Sequence, residues 1–152
     1  MKIGIYVGSF NPPHLGHIKI VNYLVDNYLD KVIIIPTGNY WHKQDLIDTK
    51  HRINMAKVYE NEIIIVDETL NHLPYTYQVL NELNKIFPND ELNLIIGADN
   101  LEKFHLWKNI EEILKNKVLV IPRDNINKEK YINNFIEKDQ FIVTKDFPQE
   151  DI

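Results

Sequence analysis

Ten consecutive residues, Gly8-Ser9-Phe10-Asn11-Pro12-Pro13-His14-Leu15-Gly16-His17, combine the residue types that hold an anion. Gly8 opens backbone conformations closed to other residues and lets a ligand approach the chain. Pro12 and Pro13 stiffen the run, so its polar groups are placed before a ligand arrives. His14 and His17 are three apart at the start of a helical stripe, which puts both imidazoles on one helix face. Gly16 removes a side chain where a phosphate would press on the backbone. The free N–H groups and positive dipole end of the helix add attraction for negative charge. The chemistry expected is polyphosphate binding, with two imidazole donors beside a helix N-terminus. A histidine pair also suits a metal, but no third ligand stands nearby and no H-E-x-x-H motif occurs, so no protein metal site is expected.

The elements that must position this run follow from the apolar pattern. Short, nearly continuous apolar runs occur at Ile3–Val7, Val32–Ile35, Ile63–Val66, Leu92–Ile96, Val118–Ile121 and Phe141–Val143. They have the length and character of strands covered on both faces. Helical stripes lie between them: Ile18, Val21, Leu24, Val25 and Tyr28; Tyr75, Val79, Leu83 and Ile86, stopped by Pro88; and Tyr131, Ile132, Phe135 and Ile136. Another helix is expected to begin at His51-Arg52, with Arg52 in a surface ion pair. Alternating strands and helices predict an α/β, Rossmann-like three-layer fold with a mostly parallel sheet. In such sheets ligands sit beyond the carboxyl ends of the strands, where the Gly8–His17 run lies.

Composition narrows the class. The chain has 152 residues, 44% of them hydrophobic, enough for one domain spanning residues 1–152. Seventeen Lys and Arg against 22 Asp and Glu leave a net charge of −5. That balance argues against nucleic acid as a partner. The absence of cysteine excludes disulfides, thiol nucleophiles and cysteine-held metals. Neither a signal peptide nor a membrane span is read from the sequence, so a cytoplasmic protein is expected. Self-association is left open.

The Gly8–His17 run resembles the signature of the H-x-G-H nucleotidyltransferase superfamily. Its form G-S-F-N-P-P-H-x-G-H is most similar to the bacterial nicotinate-nucleotide adenylyltransferase family. The resemblance extends to Pro36–Lys43, a partial match in which Tyr40-Trp41 replaces small or proline residues, and to Pro74-Tyr75-Thr76-Tyr77. It continues through Ile95-Ile96-Gly97-Ala98-Asp99, Trp107 and Arg123. It implies ATP contacts from Gly8, Ser9, Phe10, Gly16, Gly97, Asp99 and Arg123, Asp99 accepting from ribose hydroxyls. It implies that His17 meets the α-phosphate and His14 the β- and γ-phosphates. On the mononucleotide side it implies Lys43 for phosphate, Thr76 with its neighbouring amides for the pyridine carboxylate, and Trp107 stacked on the pyridine ring. The family commonly has an aromatic residue after that tryptophan. Here Lys108 stands instead, weakening the aromatic clamp and supplying a charge.

The implied reaction is adenylyl transfer from ATP to nicotinate mononucleotide, with Mg²⁺ carried in by the ATP. Rival expectations are transfer to nicotinamide mononucleotide or phosphopantetheine, or a truncated nucleotide-binding module without turnover. The last has force because the family's second signature, S-S/T-x-x-R after the sixth strand, is not reached before Ile152. The C-terminal part is therefore expected to be missing from this chain.

Overall fold

The computed structural model describes residues 1–10, 12–38, 47–123 and 126–145. Six strands form one sheet: β1 (Lys2–Gly8), β2 (Lys31–Pro36), β3 (Ile64–Val66), β4 (Glu91–Gly97), β5 (Lys117–Ile121) and β6 (Phe141–Val143). Every pairing is parallel, and the spatial order is β3-β2-β1-β4-β5-β6. The chain therefore reverses its direction of travel across the sheet between β1 and β4. Brackets of helix connect the strands: α1 (Leu15–Asn27), α2 (Thr49–Ala56), α3 (Thr76–Ile86), the short α4 (Leu101–Phe104) and α5 (Ile110–Ile113), and α6 (Lys128–Ile132).

The strands are apolar on both faces because helices cover both. Ile33, Ile35, Leu94, Ile96, Val118 and Val120 point into one core with Val79, Leu80 and Leu83 of α3, Leu101 and Phe104 of α4, and Ile113 of α5. Their neighbours Val32, Ile34, Ile95, Leu119 and Ile121 point into a second core with Ile18, Val21 and Leu24 of α1 and Ile53 of α2. Side chains alternate across a strand, so one continuous apolar run feeds two cores. Each fully buried aliphatic side chain contributes about 2 kcal/mol.

Two elements differ from the sequence pattern. The C-terminal stripe is helical only over Lys128–Ile132; Phe135 then packs against the rings of Phe104 (6.0 Å) and Phe141 (5.1 Å), and Ile136 is 96% exposed. The helix thus ends at Ile132, and Phe135 reaches the core through aromatic packing outside it. The helix expected from His51 begins two residues earlier, at Thr49, with Asp48 in the N-cap position.

Candidate active site

At the carboxyl end of β1 the alternation of side chains divides the site in two. Tyr6 faces the α1 side and Val7 the α3 side. Gly8 ends the strand, and its carbonyl accepts from the Thr37 amide at 2.9 Å, tying the ends of β1 and β2 together.

On the α1 side the loop is fixed by hydrogen bonds and ring packing. His14 is the N-cap of α1, and its Nδ1 accepts the Gly16 amide at 3.0 Å. His17 reaches back, its Nδ1 accepting the His14 amide at 3.0 Å. The two rings stack with centroids 3.8 Å apart. This is a capping box in which histidines occupy both positions, satisfying helix amides that would otherwise lack partners. With Nδ1 engaged as an acceptor, each neutral ring carries its proton on Nε2, leaving that N–H to donate. The His17 pKa is lowered to about 4 by burial, and further by His14 and Arg123, so the ring is neutral at physiological pH.

Phe10 supports His17 from below. Its ring meets His17 edge-on at 4.9 Å and Tyr6 at 5.1 Å, and it is 3% exposed. Phe10, not Gly8, takes the left-handed conformation in this loop: its φ is +46°, whereas no described glycine has a positive φ. A bulky residue pays strain there, and the packing on Tyr6 and His17 offsets it. Gly8 serves by lacking a Cβ, which would stand 3.3 Å from the Phe10 ring. The Phe10 side chain is thus spent on the core and on orienting His17.

Arg52 corrects the surface ion pair expected for it. It is completely buried in α2, and it donates to the carbonyls of Ser9 (2.7 Å) and Ile47 (2.7 Å) and to Thr49 Oγ1 (3.0 Å). Burial lowers its pKa, with the Asp48 carboxylate acting in the opposite direction. The guanidinium therefore clamps the backbone of the first loop, through the Ser9 carbonyl, to the start of α2.

Across the crevice, β4 ends at Gly97 and β5 leads to Arg123. A Cβ on Gly97 would overlap the Asp99 carboxylate and stand 3.5 Å from Arg123 Nε. The space above Gly97 is therefore used by Asp99 and Arg123, which face each other at 3.7 Å and remain solvent-accessible. Asp99 lies within a 3-10 turn, Ala98–Asn100, rather than capping a helix. Arg123 bears on the charge of His17 and Tyr6, so Gly97, Asp99, Arg123 and the histidines belong to one cluster at the strand ends.

On the α3 side lies a cavity of about 310 Å³, lined in part by Val7, Thr37, Tyr75, Thr76, Trp107 and Lys108. Tyr75 is the N-cap of α3 and its amide donates to Gln78 Oε1 at 3.2 Å, so Thr76 is the first helical residue. Tyr75 and Thr76 line this cavity, so the N-terminal end of α3 lies at its wall. Trp107 is half-buried: it packs edge-on against Phe104 at 4.8 Å and also lines the cavity. It serves the core and the site at once. The Lys108 ammonium lies 4.6 Å over the Tyr75 ring.

The structure thus brings His14, His17, Gly8, Phe10 and Gly16 to one side of the β1 end. Gly97, Asp99 and Arg123 lie beside them, and Thr76 and Trp107 in the adjoining cavity. Ser9 contributes its carbonyl to Arg52. Lys43 lies outside the described residues. Tyr6, Tyr75 and the loop clamp by Arg52 escaped sequence reasoning. No local signal marked Arg52, whose burial arises only in the folded chain. Among the described residues no helix is long and apolar enough to cross a membrane.

A family model described as cytidylyltransferase-like matches residues 5–152. Curated relatives carrying the name nicotinate-nucleotide adenylyltransferase include a protein of Azobacteroides pseudotrichonymphae, 37% identical over all of this chain and 82% of its own length. Another, from Flavobacterium psychrophilum, is 34% identical over 95% of this chain and 79% of its own length. Among solved structures, Plasmodium falciparum nicotinic acid mononucleotide adenylyltransferase, complexed with NaAD, superimposes with a TM-score of 0.80 at 20% identity. It covers 97% of this chain and 76% of its own, a likeness of fold.

Proposed function

The chain belongs to the cytidylyltransferase-like family, among its nicotinate-nucleotide adenylyltransferases. From that premise we propose that it transfers the adenylyl group of ATP to nicotinate mononucleotide, forming nicotinate adenine dinucleotide and pyrophosphate in NAD biosynthesis. The observation that carries this reading is the adjacency, at one strand end, of two imidazoles locked as Nε2–H donors and a cavity with an aromatic wall.

The reaction breaks the bond between the α-phosphorus of ATP and the oxygen bridging to the β-phosphate. A phosphate oxygen of the mononucleotide forms the new bond, and pyrophosphate leaves with the electron pair. His17 donates from Nε2 to the α-phosphate, and His14 to the β- and γ-phosphates. The first-turn amides of α1 and the Arg123 guanidinium add positive potential where charge accumulates. Asp99 accepts from ribose hydroxyls, while Gly8 and Gly16 allow close approach of the phosphates. Thr76 and Trp107 hold the pyridine end, Trp107 by stacking on its cationic ring. Lys43 contributes a contact to the mononucleotide phosphate. Catalysis is then alignment plus stabilisation of charge.

A divalent cation accompanies ATP. No group of three or more His, Asp or Glu that could hold a metal ion occurs among the described residues. The donors beside the phosphates are imidazole N–H groups, which repel a cation. In this reading Mg²⁺ enters with the substrate, coordinated by phosphate oxygens and water. We place the reaction in the cytoplasm.

The test is pyrophosphate release and dinucleotide formation by the purified chain with ATP and either nicotinate or nicotinamide mononucleotide. The wild type is expected to turn over the first. Replacing His17→Ala should lower kcat by about 10²–10³-fold, the usual loss on removing one transition-state donor. It should cost only about 1 kcal/mol of stability for the lost cap. No turnover by the wild type overturns the reading. Equal activity of wild type and His17→Ala overturns the role of His17.

A further inference from the structure

We propose that Lys108 selects an acceptor bearing a carboxylate over its carboxamide counterpart. The inference rests on the function proposed above and assigns the preference to one side chain.

The cavity on the α3 side has a lopsided charge. Lys108 is the one charged residue among the described residues that line it, and no carboxylate does. Lys108 makes no ion pair among the described residues; its ammonium rests 4.6 Å over the Tyr75 ring. The acidic residues nearest in sequence, Glu111 and Glu112, lie in the first turn of α5, and Glu112 is paired with Lys115 at 3.4 Å. Among the described residues, no carboxylate therefore neutralises the positive charge at the cavity. The first-turn amides of α3, beginning at Thr76, add partial positive charge on the same wall.

Two features fit that wall to a zwitterion. A pyridinium is cationic and flat, and the face of Trp107 attracts it. Beside a lone ammonium, however, a cationic ring without a compensating anion is repelled. Nicotinate carries that anion on the ring itself and can meet Lys108 and the α3 amides with it. Nicotinamide carries the ring charge with a neutral amide, and so meets the repulsion without the compensation. The aromatic surface alone cannot separate the two, because it contacts the ring they share. Tyr75 gives the ammonium a resting place that an exposed, flexible lysine leaves at small cost for a carboxylate.

The experiment measures kcat/KM for nicotinate and nicotinamide mononucleotides with ATP, in wild type, Lys108→Gln, Lys108→Arg and Lys108→Glu. In parallel, each mononucleotide is titrated for binding without ATP. The ratio favouring nicotinate is expected to fall by about 10- to 100-fold in Lys108→Gln, the range for losing one charge-assisted bond, carried by KM for nicotinate. Lys108→Arg should retain most of the ratio and Lys108→Glu should lower it further. Raising the salt concentration should compress the wild-type ratio and leave that of Lys108→Gln nearly unchanged. A ratio within about twofold of wild type in Lys108→Gln, or a wild type that does not discriminate, overturns the inference. If the wild type transfers to neither acceptor, the proposed activity fails by itself. The binding ratios then decide Lys108 independently, and failure to bind either mononucleotide overturns both.

Discussion

The two halves of the site at the end of β1 are built on different plans. The histidine half comes from ten consecutive residues and is wired to the backbone: each imidazole accepts a main-chain amide, Phe10 wedges His17, and Arg52 grips the Ser9 carbonyl. The aromatic half is assembled from β1, the β2 end, the α3 start and the loop after α4. Its charged member is an exposed lysine whose ammonium rests over a ring face. In the proposed reaction, the groups assigned to the reacting phosphate are fixed in advance, which would avoid reorganisation at the moment of reaction. A group that only has to choose between ligands can stay mobile.

The sharpest way to break this contrast is Phe10→Ala. Removing a buried ring that props His17 should cost about 3–5 kcal/mol of stability in urea unfolding. It should also weaken ATP binding, because the ring holds His17 in place. Trp107→Ala is the matching change in the other half. With only part of its ring in the core, it should cost a smaller amount, about 1–2 kcal/mol, and raise KM for the mononucleotide about tenfold. If Trp107→Ala proved as destabilising as Phe10→Ala, the aromatic half would be as tightly built as the histidine half.

A further effect is expected on pH. An unfolded imidazole takes its proton near 6.5, whereas folded His17 takes it at about 4. Between those values the unfolded chain holds more protons. The stability contributed by neutral His17 is fully present above 6.5 and is lost as pH falls toward 4. His17→Asn keeps an acceptor and removes the titration. The urea midpoint should therefore drop more between pH 7 and pH 4.5 in the wild type than in this variant, and equal drops would count against the buried neutral ring.

Local patterns were legible and distant ones were not. All six strands were readable as β-branched runs, because burial on both faces leaves a continuous apolar signature. The Gly8–His17 run was readable because its spacing is its geometry. Arg52 was misread because its partner Ser9 lies 43 positions away, and a charged side chain in an amphipathic helix resembles any surface cation. The left-handed Phe10 had no signal at all: bulky residues avoid that conformation, and only the packing of Tyr6 and His17 in three dimensions imposes it. Ile136 fitted a helical stripe, but the helix ends at Ile132. Lys108 was visible as a departure from the family pattern, but its isolation from carboxylates is a property of the assembled cavity.

The reciprocal cap between His14 and His17 also limits what kind of reagent this loop can handle. Each ring has given its only lone pair on nitrogen to a peptide N–H, so toward a ligand both rings speak only as proton donors. Hydroxyls and ammonium groups seeking an acceptor find none in these imidazoles. A ring so committed cannot withdraw a proton from an incoming alcohol or amine either. The loop is thereby reserved for nucleophiles that arrive already ionised, and a phosphate monoester is one.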